Sequence, residues 1–135
     1  RRVAIAGVIA MNPKILILDE PTAGLDPGAH ADVIRMVRNI HEELGIIIIL
    51  VSHNMTDIAN ISDKVIVVNK AKIVADGTAR EVFSRREFLQ SMGLDVPPVI
   101  DIMHTLETRV EGFHSVAINA DEAADEICTL LKQKK

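Results

Sequence analysis

Two short runs of branched apolar residues, each followed at once by polar residues, most constrain the fold of this chain. They are Ile15–Leu18, which lies between two prolines, and Ile46–Val51, which follows a glycine. Continuous branched runs of this length are typical of parallel strands that are covered on both faces of a sheet. Between them, apolar residues recur at helical spacing from Gly28 to Leu44. We therefore expect strand, helix and strand to form a parallel crossover unit.

The flanks of this unit predict further helices and a hairpin. Val3–Met11 has apolar side chains on nearly every side, which indicates the end of a buried helix that enters from upstream. Val65–Val68 and Lys72–Asp76 are separated by a short turn, which predicts a hairpin at a sheet edge. Asn119, with Glu122 three residues later, forms a capping-box pattern before a last helix. The other predicted helices are 55–61, 80–85, 87–92 and 98–108.

Composition excludes several classes of protein. Of the 135 residues, 48% are hydrophobic and 25% are charged, which excludes a disordered chain. The formal charge of −4 and the 2% aromatic content argue against a nucleic-acid partner, which needs a basic patch or stacking rings. A single cysteine cannot form an internal disulfide, and this fits a cytosolic protein. The apolar runs are far shorter than the roughly 20 residues that span a bilayer.

The residues that follow the two apolar runs carry the chemistry. Ligands of α/β sheets bind beyond the carboxyl ends of the strands, where this sequence has Asp19-Glu20 and Ser52-His53. Asp19 could hold Mg²⁺ near the phosphates of a nucleotide, Glu20 could polarise an attacking water, and His53 could donate to a γ-phosphate oxygen. Each group alone has a plainer interpretation: carboxylates that cap a turn at a strand end, and a histidine in a loop or capping position.

Taken together, the residues from Ile15 to Pro27 and from Ile48 to His53 resemble the ATPase subunits of ABC transporters. The resemblance implies that Asp19 is the Walker B carboxylate that binds Mg²⁺ and that Glu20 is the catalytic base. It implies that His53, which follows Ser52, is the switch histidine. Ala23–Asp26, with Gly24, corresponds to the D-loop that crosses to a partner subunit. ATP and Mg²⁺ are the cofactors that follow, with Asp19, Gly24, Asp26 and Ser52 as nucleotide-binding residues and Glu20 and His53 as catalytic residues.

The phosphate-binding loop of this family has no counterpart in the sequence. None of the seven glycines precedes a lysine, so the pattern Gly-x-x-x-x-Gly-Lys-Ser/Thr is absent. Arg1–Ala6 resembles the helix that follows the family's signature motif, and that motif is missing as well. Because the loop supplies most of the phosphate contacts, we expect these residues alone to bind ATP weakly or not at all and to lack activity. In the predicted edge hairpin, Ala71 stands where the family usually has glycine.

The C-terminal part narrows the resemblance. Gly77–Phe83 and Leu89–Val99 are similar to the ATPases of energy-coupling-factor importers, which take up cobalt, nickel and vitamins. In that group a C-terminal helical region helps two ATPase subunits to pair. The amphipathic segment from Pro98 to Leu106 could serve this purpose or could pack onto the parent domain.

These observations give an α/β fold, the second half of an ABC-type nucleotide-binding domain with parallel strands, crossover helices and an edge hairpin. We assign residues 1–85 to that domain and 86–135 to a helical appendage that is a candidate dimerisation element. The expected partners are a second ATPase subunit and integral membrane subunits at the cytoplasmic face of the membrane, without nucleic acid. A soluble ABC ATPase and a non-catalytic interaction fragment remain alternatives. Exposed strand edges also predict self-association of the isolated chain.

Overall fold

A computed structural model describes residues 2–133, so Arg1 and Lys134–Lys135, at the ends of the two predicted regions, lie outside the described residues. The chain divides into two compact units, 1–53 and 54–135. The predicted domain boundary at residue 85 stays a prediction. The first unit contains α1 (Arg2–Ile9), β1 (Ile15–Asp19), α2 (Pro27–Leu44) and β2 (Ile47–Val51).

The crossover unit forms as the spacing predicts. β1 and β2 pair in parallel, with Ile15 opposite Ile47 and Asp19 opposite Val51. The connecting helix α2 begins after its N-cap, Asp26, and ends at Gly45, whose φ of 63° is the left-handed conformation that closes helices. Val33 and Val37 of α2 are buried, as apolar residues four positions apart on one helix face should be.

The prediction that both faces of these strands are covered was wrong. Leu16 and Leu18 are buried, whereas the alternate residues Ile15 and Ile17 are exposed, so the described residues cover one face of this sheet. The helix predicted over Val3–Met11 is confirmed by α1, but its predicted burial was wrong in the same way, because α1 buries Ile5 and exposes most of its other residues. A continuous apolar run has no alternation, and it therefore carries no information about which face is covered.

The second unit begins with a short helix and the predicted hairpin. The strands β3 (Val65–Asn69) and β4 (Lys72–Gly77) pair antiparallel, with an irregularity between Val67 and Val68. Asn69 and Lys72 face each other across a two-residue turn in which Lys70 and Ala71 have φ values of 47° and 59°. The elements of this unit are α3 (Met55–Ile61), β3 (Val65–Asn69), β4 (Lys72–Gly77), α4 (Ala79–Phe83), α5 (Arg86–Ser91), α6 (Pro98–Arg109) and α7 (Ala120–Gln133).

Carboxylates organise the irregular segment between α6 and α7. Glu107 accepts a hydrogen bond from the Ser115 backbone N–H at 2.6 Å, and Glu126 accepts one from the Val116 N–H at 3.1 Å. Asn119 caps α7 as predicted, since its side chain accepts from the Glu122 N–H at 2.9 Å. The Glu122 carboxylate accepts from the Ile118 N–H at 3.0 Å, one residue earlier than a capping box requires.

Candidate active site

The parallel pairing of β1 and β2 brings the two predicted polar pairs to the same end of the sheet. Asp19 is the last residue of β1 and lies opposite Val51, the last residue of β2. The ladder continues one step further, because the Glu20 N–H donates to the Val51 carbonyl oxygen at 2.9 Å. Ser52, which is half-buried, and His53 follow directly.

Asp19 and Glu20 direct their side chains differently although they are neighbours. Asp19 continues the alternation of β1 and lies on its exposed face with Ile15 and Ile17. Glu20 has a φ of 45°, in the left-handed region that non-glycine residues rarely adopt. This conformation ends the strand and starts the turn at Pro21. Residues held in such sparsely populated conformations often cluster at functional sites.

The Glu20 carboxylate is held by His53. Its Oε1 atom accepts a hydrogen bond from the His53 backbone N–H at 3.0 Å and lies 2.7 Å from the ring atom Nδ1. The Glu20 side chain is one-third exposed, whereas the His53 ring is 83% exposed. The pair therefore lies at the surface, where the carboxylate is held in place by two contacts and the imidazole ring is open to solvent. An oriented carboxylate with a free lone pair can accept a proton from a water molecule.

The turn after Glu20 contains two further predicted residues, Gly24 and Asp26. Gly24 has a φ of 70°, which favours glycine, and the Ala23 N–H donates to the Glu20 carbonyl oxygen at 3.2 Å. Asp26 is engaged as the cap of α2, where its Oδ1 atom accepts from the Gly28 and Ala29 N–H groups at 3.0 and 3.1 Å. Within the described residues, Asp26 shares no hydrogen bond with Glu20 or His53.

The main-chain hydrogen bonds of Glu20 and its backbone conformation gave no signal in the sequence. The backbone N–H of His53 binds the Glu20 carboxylate, and the Val51 carbonyl binds the Glu20 N–H. Main-chain groups are present in every residue, so their use depends on strand register alone. The left-handed backbone at Glu20 was missed for a similar reason, since glutamate is not a residue type that favours it.

No group of three or more histidine, cysteine, aspartate or glutamate side chains that could hold a metal occurs in the part of the chain that the structure describes. Asp19 is exposed and carries one carboxylate, while the neighbouring Glu20 is engaged with His53. This donor set does not form a metal cage by itself. It suits an ion that takes one carboxylate and completes its shell with phosphate oxygens and water, as Mg²⁺ does.

Curated relatives match this chain along most of its length. The EcfA2 energy-coupling factor transporter ATP-binding protein of Caldanaerobacter subterraneus subsp. tengcongensis is 47% identical over 135 residues. The match covers 100% of this chain and 47% of that relative. The EcfA2 protein of Clostridium perfringens is 54% identical over 114 residues, which are 84% of this chain and 39% of the relative. The chain is homologous to part of an energy-coupling-factor ABC ATPase. It spans about half the length of the curated relatives that it matches.

Solved structures agree with this ABC ATPase assignment. The structure of cbiO1 from Clostridium perfringens, described as part of the ABC transporter complex cbiONQ, matches with a TM-score of 0.59 at 39% identity. That match covers 76% of this chain and 41% of cbiO1. No protein-family model matches the chain. In the described residues, no helix is both long and apolar enough to cross a membrane. The comparisons confirm the predicted α/β fold of a partial ABC ATPase domain.

Proposed function

We propose that these residues form the hydrolytic part of the ATP-binding subunit of an energy-coupling-factor importer for cobalt, nickel or a vitamin. The observation that carries the proposal is the contact between Glu20 and His53 at the carboxyl ends of two parallel strands. Glu20 acts as the general base that takes a proton from the attacking water. His53 orients that carboxylate through its Nδ1–H group. In the form with both ring nitrogens protonated, its Nε2–H group donates a hydrogen bond to a γ-phosphate oxygen, where the charge of the transition state must be stabilised.

Asp19 is the residue that would hold Mg²⁺. Its carboxylate lies at the strand end beside the Glu20–His53 pair, and the ion would neutralise charge on the phosphates of ATP. Ser52 stands between Val51 and His53, and its hydroxyl is a candidate ligand of the nucleotide. The proposed site offers Mg²⁺ a single carboxylate. This is sufficient for Mg²⁺, because the ion usually takes most of its ligands from water and phosphate.

The turn from Ala23 to Asp26 faces a second ATPase subunit in the proposed assembly. Gly24 gives this turn its left-handed backbone, and Asp26 anchors its end to α2 through one oxygen while the second oxygen remains for a partner. Integral membrane subunits are the other partners, at the cytoplasmic face of the membrane. The 135 residues alone would be inactive, because the sequence contains no phosphate-binding loop.

The test uses a chimaera in which these residues replace the matching part of the Caldanaerobacter relative. In this chimaera, Glu20→Gln should lower ATP turnover at least about 100-fold, because an amide cannot accept the proton. Binding of ATP with Mg²⁺, measured by calorimetry, should change little. Glu43→Gln is the matched control, since Glu43 is exposed on α2 and loses the same charge. Unchanged turnover in the Glu20→Gln chimaera would reject Glu20 as the base.

A further inference from the structure

The second unit contains a cleft that is lined by α4, α5, α6 and the irregular segment before α7. Its volume is about 210 Å³, and its lining residues lie between Arg80 and Ile118. Sites for drug-sized ligands usually measure roughly 300–1,000 Å³, so this cleft has room for a smaller molecule. Among the described residues that line it, none belongs to the proposed site of ATP hydrolysis.

Part of the lining is apolar. Phe83 and Met103 are each 1% exposed, and the half-buried Ile100 and Ile118 line the cleft with them. Phe83 and Met103 belong to two separate core clusters, so the cleft borders both clusters. Concave sites of this kind, with an apolar lining and a few polar groups, are the usual form of small-molecule sites.

The charged part of the lining favours an anion. Two arginines and one glutamate give it a net charge of +1 when its histidine is neutral. Arg80 is engaged, because its guanidinium donates to the Glu122 carboxylate at 3.0 Å. Glu107 is engaged as well, since its Oε1 atom accepts from the Ser115 N–H at 2.6 Å and its Oε2 atom lies 3.4 Å from Nδ1 of His104.

Arg86 is the charged lining residue with donors that are still available. Its Nε atom donates to the Asp101 carboxylate at 2.6 Å, and its side chain is 29% exposed. Its two terminal nitrogens form no hydrogen bond or ion pair with other residues that the structure describes. A guanidinium presents these two nitrogens in a plane that matches the two oxygens of a carboxylate.

We propose that this cleft binds a small monocarboxylate that has an apolar body. Arg86 binds the carboxylate, and the apolar body packs against Phe83 and Met103. A neutral molecule would give the guanidinium no charged acceptor, and an inorganic anion would leave the apolar lining in contact with water. This inference concerns a second site, and it does not depend on which residue is the catalytic base.

The test measures binding of benzoate and of isovalerate to the chimaera defined above. These probes carry a carboxylate on an aromatic ring and on a branched aliphatic chain. We expect a Kd of about 1 mM or lower by calorimetry for at least one of them, within the binding energy per atom that small ligands reach. Benzyl alcohol, which lacks the charge, and inorganic phosphate, which lacks the apolar body, should bind at least about tenfold more weakly.

A spectroscopic measurement locates the bound probe. Methionine methyl groups labelled with ¹³C give separate NMR signals, which substitutions by leucine assign. The Met103 signal should shift on addition of the probe, because Met103 lines the cleft. The signal of Met11, which is exposed in the first unit, should not shift.

Three variants test the role of Arg86. Arg86→Gln should weaken binding at least about tenfold, because it removes the guanidinium. Arg109→Gln is the matched control, since Arg109 is exposed on α6 and loses the same charge, and it should leave the Kd unchanged. Asp101→Asn alters the same ion pair but keeps the guanidinium, so the probe should bind at least as tightly as to the unaltered chimaera.

Several results would overturn the proposal. Equal loss of binding in Arg86→Gln and Asp101→Asn would mean that the ion pair only maintains the shape of the cleft. Equal affinity for phosphate or benzyl alcohol would reject a site that needs both a carboxylate and an apolar body. Absence of binding of both carboxylates to the folded chimaera would reject the site itself. If Glu20→Gln leaves turnover intact while the probe binds as expected, the proposed catalytic roles fail and the carboxylate site stands.

Discussion

Glu20 and His53 lie 33 residues apart in the sequence, and a single carboxylate oxygen of Glu20 contacts both the backbone N–H and the ring of His53. The two contacts have different consequences. The backbone contact depends on the register of β1 and β2, so no side-chain substitution at residue 53 removes its donor except proline. The ring contact depends on the imidazole alone. Substitutions of His53 other than proline can therefore remove the ring contact and leave the backbone contact to the Glu20 carboxylate in place.

His53→Ala should lower ATP turnover of the chimaera by about 100-fold, because it removes a donor to the charge of the transition state. The free energy of unfolding should fall by less than about 1 kcal/mol, since the pair is exposed and exposed pairs contribute little. Turnover and urea unfolding measure the two effects. His114→Ala, an exposed histidine in the segment between α6 and α7, is the control and should change neither. Normal turnover in the His53→Ala chimaera would contradict the role of the ring.

Asp26→Ala should lower the free energy of unfolding of the chain by about 1 kcal/mol, because two N–H groups at the start of α2 lose their acceptor. Asp26→Asn keeps an oxygen at the cap and should be destabilised by less than half of that amount. Urea unfolding followed by circular dichroism measures both variants. Equal destabilisation by the two substitutions would show that charge, rather than the capping hydrogen bonds, is what matters at Asp26.

Local spacing predicted the secondary structure well. The helical recurrence of apolar residues placed α2 within one residue of its observed start, and the separation of two apolar runs predicted the β3–β4 hairpin. These features are local, because caps, turns and periodicity depend on residues a few positions apart. The resemblance of the strand ends to ABC ATPases likewise identified residues that the parallel pairing then brings together, such as Glu20 and His53.

Features that depend on tertiary context were not predictable. Ile15–Leu18 has the same apolar character on both faces, so the sequence could not indicate that Leu16 is buried and Ile17 exposed. The carboxylates of Glu107 and Glu126 bind backbone N–H groups eight and ten residues away. Nothing in the sequence distinguishes these two glutamates from ordinary charged surface residues. Such contacts follow from how α6 and α7 pack, which no local pattern specifies.

Acidification should destabilise the chain through Glu122. Burial raises the pKa of this carboxyl, but hydrogen bonds from the Ile118 N–H and from Arg80 outweigh burial, so its pKa is lowered from the ordinary value of 4.5. A group with a lowered pKa in the folded state stabilises the protein above its unfolded pKa. That stabilisation is lost as the pH falls through the folded pKa. The free energy of unfolding should therefore decrease as the pH falls from 5 to 3, which urea unfolding at several pH values measures.

Glu122→Gln should flatten this pH dependence, because the amide does not titrate. The Glu81 carboxyl contributes in the same direction, since hydrogen bonds from the Thr78 N–H and hydroxyl lower its pKa. Glu43→Gln serves as the control for the loss of one carboxylate, because Glu43 is exposed on α2. An unaltered slope in the Glu122→Gln variant would show that other carboxyls govern acid unfolding.

Ala71→Gly should stabilise the chain. Lys70 and Ala71 both have positive φ values in the two-residue turn of the hairpin, as a type I′ turn requires, and glycine adopts this conformation without a steric penalty. The relief of strain exceeds the added entropy of the unfolded chain, so the free energy of unfolding should rise by about 0.5–1 kcal/mol in urea titrations. Ala75→Gly is a control that should have the opposite effect. Ala75 is buried in β4, so loss of its methyl group should lower the free energy of unfolding. A fall in stability for Ala71→Gly would mean that the alanine methyl group makes a contact that outweighs its backbone strain.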